Sequence, residues 1–260
     1  MDLYRTTFAV LVVASVGLAY SQYQRDKEAL KDAKAGSVEL NNAATSFKWK
    51  FIPVYLLVMG SDWLQAIRPP PKKLNTVAIL TRKQGPYVYT LYKDEYGLAE
   101  PTVAMLFAAG FVAAAVSATF VGSLADKYGR RMACMAFCIT YALSCLTKLS
   151  SQIVTLLIGR LLGGVATTLM YSVFESWMVT EYFARSLDRS NMTLDSMFGL
   201  MTTLNGVVAI LSGVVGESVV AMTGTKTSPF MAAIVLLMTA MVIIKKGWVS
   251  WHPHHRRMDR

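Results

Sequence analysis

Apolar residues in this chain gather in long blocks separated by short polar stretches, with no sustained alternation between the two. The blocks cover 6–20, 47–65, 101–125, 132–148, 153–177, 197–222 and 229–244. They are apolar all round rather than along one stripe, which argues against surface helices of a water-soluble domain. A bilayer core takes about 20 apolar residues as one helix, so the pattern predicts membrane spans. Pro101 and Pro229 fall at the starts of blocks, where a missing backbone N–H costs nothing. The connectors 126–131 and 149–152 are too short for anything but antiparallel neighbours. The 6–20 block follows Arg5 and has no small-x-small cleavage site, so it reads as an uncleaved anchor helix over 1–21. A polar, mixed-charge linker over 22–46 follows it. The expected fold is therefore an all-α membrane protein with six spans and one extra N-terminal helix.

Composition supports that reading. Of 260 residues, 54% are hydrophobic and 16% charged, against about 25% charged in soluble domains. The net charge of +10 does not indicate nucleic acid, because the basic residues form no patch interleaved with aromatics. They lie in the polar gaps, and the positive-inside rule uses them to set orientation. With 126–131 in the cytoplasm, Lys48, Lys50, Lys127, Arg130, Arg131, Arg185, Lys245 and Lys246 all fall inside. Arg5, Lys93, Lys148 and Lys226 fall outside. The Asn191-Met192-Thr193 sequon is then cytoplasmic, and no glycan is expected. Only 66–84, with Arg68, Lys72, Lys73, Arg82 and Lys83, breaks the charge rule. Cys134, Cys138 and Cys145 share one helical face without zinc-site spacing, which makes them packing residues. His252, His254 and His255 have no acidic or cysteine partner, so no metal site is expected.

The connector after the second span reads Gly122-Ser-Leu-Ala-Asp126-Lys127-Tyr-Gly129-Arg130-Arg131. This resembles the loop signature of the major facilitator superfamily in both residue type and spacing. Gly122 would allow close helix contact, and Gly129 a turn with positive φ. Asp126 would cap the next helix and pair with Arg130. Gly159-Arg160-Leu-Leu-Gly163-Gly164 in the fourth span adds an arginine followed by small residues, as is frequent there in the superfamily. Three further runs, Asp62–Gln65 with Gly85–Tyr89, Thr140–Lys148 and Phe174–Trp177, are similar to the molybdate-anion transporter branch. The resemblance covers about 44–247. It implies the N-terminal six-helix half of a major facilitator fold, preceded by an extra helix, in the plasma membrane. It also implies a missing C-terminal six-helix half as partner, since the family rocks two halves about a midplane site. The basic, proline-bearing 66–84 stretch and the basic tail 247–260 depart from the branch.

Charged residues inside spans are costly and mark functional candidates. Asp62 late in the first span and Arg160 early in the fourth both fall in the outer half, and are expected to pair or share a network. A tetrahedral oxyanion such as molybdate needs cations, hydroxyls or amides as donors. Arg160 is the cation within a span. Asn205, Tyr171, Ser172, Thr202 and Thr203 offer neutral donors. Glu175 reads either as a proton-coupling group or as a residue near the cytoplasmic helix end. Glu217 is expected to be solvated, and Trp63 and Trp177 to anchor at the interface.

The expected function is secondary active transport of a small oxyanion, molybdate first, with membrane lipid around the protein and no cofactor or nucleic acid. A facilitator for a sugar or organic anion, and a truncated non-transporting scaffold, are the alternatives. No nucleophile motif or His-rich box supports an enzyme.

Overall fold

The computed structural model describes residues 16–25, 38–66 and 87–249. Most of the 66–84 stretch, the start of the 6–20 block and the tail beyond 249 lie outside these residues. The described residues are helical and turn segments without a strand. Helix α1 spans 16–25. Six long helices follow it: α2 (Val38–Ala66), α4 (Glu100–Tyr128), α5 (Arg130–Thr147), α6 (Ile153–Ala184), α7 (Leu194–Thr223) and α8 (Ser228–Val249). A short α3 (Tyr87–Thr90) runs on into a π-helical turn at Leu91–Glu95.

The boundaries follow local chemistry. Pro101 occupies the first turn of α4. Gly129 ends α4 and starts α5 at φ 88°, a conformation that costs a side-chain-bearing residue strain. Thr193 accepts from Ser196 N–H to cap α7, and Gly224 closes α7 in the left-handed region. The first span begins nine residues before the expected 47, because Val38–Ala44 continue the helix without a breaker. It also carries Pro53 in its interior, where one backbone hydrogen bond is lost. Likewise α6 runs past 177 to Ala184.

Helices α4, α6, α7 and the Ser228–Lys246 part of α8 are long and apolar enough to cross a membrane. Helices α2 and α5 are more polar: α2 holds Lys48, Lys50 and Asp62, and α5 opens on Arg130 and Arg131. Both are sheltered by the others. Helix α2 packs on α7 and α8, α5 on α6 and α8, and α4 on α6. The central core is aromatic. Phe51 lies 5.1 Å from Trp177 and Phe137 meets Phe174 edge-on at 5.3 Å. These contacts join α2 to α6 and α5 to α6. Cys134, Cys138 and Cys145 are buried free thiols in this packing. Helices α4 and α6 approach closely at the backbone. A Cβ on Gly164 would lie 2.2 Å from the Gly110 carbonyl oxygen, so only glycine fits there.

A second cluster, with Leu91, Tyr92, Leu106, Leu156 and Phe230, closes one end of the bundle. Antiparallel alternation brings the C-terminal ends of α2 and α5 to this end, beside the N-terminal ends of α4 and α6. The signature connector 126–131 lies at the opposite end.

Candidate functional site

Four helix ends meet around a cavity of about 210 Å³ that carries charged side chains on a largely apolar lining. Its charged side chains are Asp62 from α2, Lys148 at the end of α5 and Arg160 from α6. Tyr141, Ser144 and Thr167 add hydroxyls. The volume accommodates several waters or one small ion.

Asp62 and Arg160, expected to pair or share a network, both line this cavity but do not form an ion pair. Each has its own partner. The Tyr141 hydroxyl donates to Asp62 Oδ1 at 2.5 Å. Arg160 Nε donates to the Leu106 carbonyl at 3.3 Å, and its guanidinium lies 4.2 Å from the centre of the Phe107 ring. A guanidinium held by a ring face and a backbone carbonyl keeps most of its five donors for other acceptors.

Lys148 is the residue that sequence reasoning placed elsewhere. Counted as an outer-loop cation, it is only 4% exposed. Its Nζ donates to Gln65 Oε1 at 2.9 Å and lies 4.8 Å from the centre of the Phe230 ring. Helix α5 extends almost to its end, so the lysine turns back into the bundle rather than out into a loop. The Tyr96 hydroxyl donates to the Lys148 carbonyl at 2.5 Å, fastening the segment after α3 over this end. Burial, and then the nearby Glu95 carboxylate, raise the Tyr96 hydroxyl above its usual range, so it stays a donor. Tyr141, Gln65 and Phe107 were also missed. The available signal was helical spacing: Asp62 and Gln65 are three apart, and Tyr141 and Lys148 seven apart, so each pair lies on one helix face.

The other three candidates lie together in a second, smaller pocket. Tyr171 and Glu175 of α6 meet Asn205 and Thr202 of α7 and Tyr55 of α2, around about 130 Å³. Glu175 stands nine residues before the end of α6, so it is not at the helix terminus. Tyr55 lies seven residues from Asp62 along α2, which sets the two pockets about 10 Å apart along that helix. Trp63 Nε1 donates to Asn205 Oδ1 at 2.7 Å, linking α2 to α7. This overturns the interfacial role expected for Trp63. Trp177 likewise packs inward, on Phe51. Ser172 turns back on its own helix, donating to the Thr168 carbonyl. Thr203 donates to Gln22 of α1 at 3.1 Å. Glu217 is half-buried within α7 rather than fully solvated.

At the opposite end, Arg130 pairs with Asp126 at 3.2 Å. Asp126 does not cap α5, whose N-cap is Gly129. Arg131 donates to the Lys245 carbonyl at 3.1 Å, tying the connector to α8. Lys127 stacks on Tyr128. Gly122 makes no close helix contact among the described residues, since a Cβ there would meet nothing within 4 Å.

The cavity lies in a bundle whose helices α4, α6, α7 and the Ser228–Lys246 part of α8 are long and apolar enough to cross a membrane. The chain belongs to the MFS_5 family, described as sugar transporters with 12 transmembrane segments, whose model matches residues 77–255. It is an integral membrane protein and a relative of major facilitator transporters that carry molybdate. It is 31% identical to a molybdate-anion transporter of Takifugu rubripes over 82% of this chain and 40% of that protein. It is 30% identical to the molybdate-anion transporter of Xenopus tropicalis, over 80% of this chain and 42% of that protein. The Danio rerio protein of the same name is also 30% identical, over 80% of this chain and 39% of that protein. The chain thus spans about two-fifths of the length of these curated relatives.

Proposed function

We propose that the chain forms a six-helix transporter half that moves a small oxyanion, molybdate first, by alternating access against an opposing half. The carrying observation is the cavity's charge. Two cations, Lys148 and Arg160, stand over one carboxylate, Asp62, and both cations are held by neutral groups. Such a cavity attracts an anion and keeps donors free for its oxygens. The names of the relatives support molybdate. The described family of sugar transporters supports a second reading, an uncharged polyol, for which the hydroxyls of the Tyr171–Asn205 pocket are suitable. The charged cavity favours the anion.

In this reading α2 and α4–α8 are the transporter half, α1 belongs to an N-terminal anchor, and the plasma membrane is the site of action. The Asp126–Arg130 connector serves as a cytoplasmic gate. The exposed face of α4, with Phe111, Val112, Val116 and Phe120, offers an apolar surface for the opposing half or for lipid. The test is uptake of labelled molybdate by cells expressing the protein, with and without excess sulfate or glucose. Uptake suppressed by sulfate supports the anion reading; uptake of glucose without molybdate uptake supports the sugar reading.

A further inference from the structure

We propose that Lys148 is the second cationic ligand of the cavity and sets its preference for doubly charged over singly charged oxyanions. This rests on the anion reading above and assigns a residue to it.

An ammonium group is strongly hydrated, and placing it in a bundle at 4% exposure is unfavourable unless something compensates. What the structure provides is neutral: one amide oxygen, Gln65 Oε1, and one ring, Phe230. Among the described residues no carboxylate lies within ion-pair distance of Nζ. An ammonium carries three donors, and one is used on Gln65. Arg160, across the same cavity, is in the same condition, with Leu106 and Phe107 as its neutral partners. Asp62 cannot balance both, and one of its oxygens already accepts from Tyr141.

The charge balance alone admits a monoanion with Asp62 ionised or a dianion with Asp62 protonated; the presence of two cations decides between them. Lys148 and Arg160 against Asp62 leave one uncompensated positive charge in the empty cavity. A monoanion neutralises that charge when Asp62 is ionised. A dianion uses both cations as direct partners and carries the stronger attraction to each, since two charges a few ångströms apart in a partly buried site interact far more strongly than in water. Gln65 and Phe230 both hold the ammonium, so the cation is preorganised rather than free to swing into solvent. Replacing Lys148 by a neutral residue would remove this extra attraction and leave Arg160 to hold either anion.

The experiment uses a pair of tetrahedral oxyanions of similar shape and different charge, molybdate and perrhenate. Binding of each is measured by calorimetry on the purified protein in lipid nanodiscs, for wild type, Lys148→Gln and Lys148→Arg. Wild type is expected to prefer molybdate by about tenfold or more. Lys148→Gln is expected to bring the two affinities within about threefold, and Lys148→Arg to keep the preference. Equal affinities in wild type overturn the proposal whatever the variants do, and so does a preference that survives in Lys148→Gln. Binding of neither anion to wild type overturns the anion reading itself, and this inference with it.

Discussion

The Tyr141 hydroxyl and the Asp62 carboxylate are joined by a 2.5 Å hydrogen bond that ties α5 to α2 across the cavity. The bond gives the half-buried carboxylate its one hydrogen-bonding partner among the described residues. Tyr141→Phe keeps the ring packed on Phe137 and removes only the donor. A fully buried charged acceptor left without its donor costs about 1–3 kcal/mol, and this half-buried one falls at the low end of that range. Thermal unfolding in detergent should show that loss in Tyr141→Phe. The Asp62→Asn variant should lose less, because a neutral amide is cheaper to bury. Equal stability of Tyr141→Phe and wild type would show that this bond contributes nothing.

Arg160→Lys is not a conservative change here. The guanidinium spans from the Leu106 carbonyl to the Phe107 ring face, and a lysine ammonium cannot make both contacts in that geometry. Anion binding should fall about tenfold or more in Arg160→Lys and further in Arg160→Gln. Isothermal titration on folded variants checks this, with the unliganded melting temperature as the control for fold.

Gly164→Ala should be severe for a single methyl group. The new Cβ would meet the Gly110 carbonyl oxygen at 2.2 Å and the Ala114 backbone nitrogen at 2.9 Å, both backbone atoms that no rotamer can move. Forcing α4 from α6 is expected to cost about 1–3 kcal/mol or more. Because the two helices carry Phe107 and Arg160, anion affinity should fall along with stability. A Gly122→Ala control, at a helix-interior position facing open space, should leave the melting temperature unchanged or slightly raised.

Much of the architecture was legible in the chain. All-round apolar blocks, proline at helix starts and very short connectors fixed the order of the helices, and the 122–131 run named the superfamily. Asp62 and Arg160 were legible as candidates for one cavity because a charge inside an apolar block is unusual wherever the block folds. Lys148 was not, since it closes a block, where a lysine ordinarily serves as a solvated end. Only the meeting of α5 with α2 shows that Gln65, 83 residues away, turns it inward. Trp63 was misjudged for the same reason. An indole near a helix end belongs at the interface unless a partner such as Asn205 waits inside. The division of the five candidates into two pockets likewise depends on which helix faces meet, which no spacing within one helix reveals.

Asp126 separates gating from folding. Its carboxylate is 69% exposed and its pair with Arg130 spans one helical turn. Exposed pairs of this kind contribute about 0.3–0.5 kcal/mol at most. Asp126→Asn should therefore leave thermal stability nearly unchanged. If the connector acts as a gate, uptake by cells expressing the variant should fall while its surface abundance stays constant. A parallel loss of abundance would assign the residue to folding.

The proposed function stands on whether the Asp62–Lys148–Arg160 cavity binds an oxyanion. Equilibrium binding of labelled molybdate to the purified protein in nanodiscs tests it most directly, with Arg160→Gln alongside and sulfate or glucose as competitor. The account expects saturable binding that sulfate displaces, glucose does not, and Arg160→Gln loses while remaining folded. Binding that glucose displaces and sulfate does not, or that Arg160→Gln retains at full strength, would contradict it.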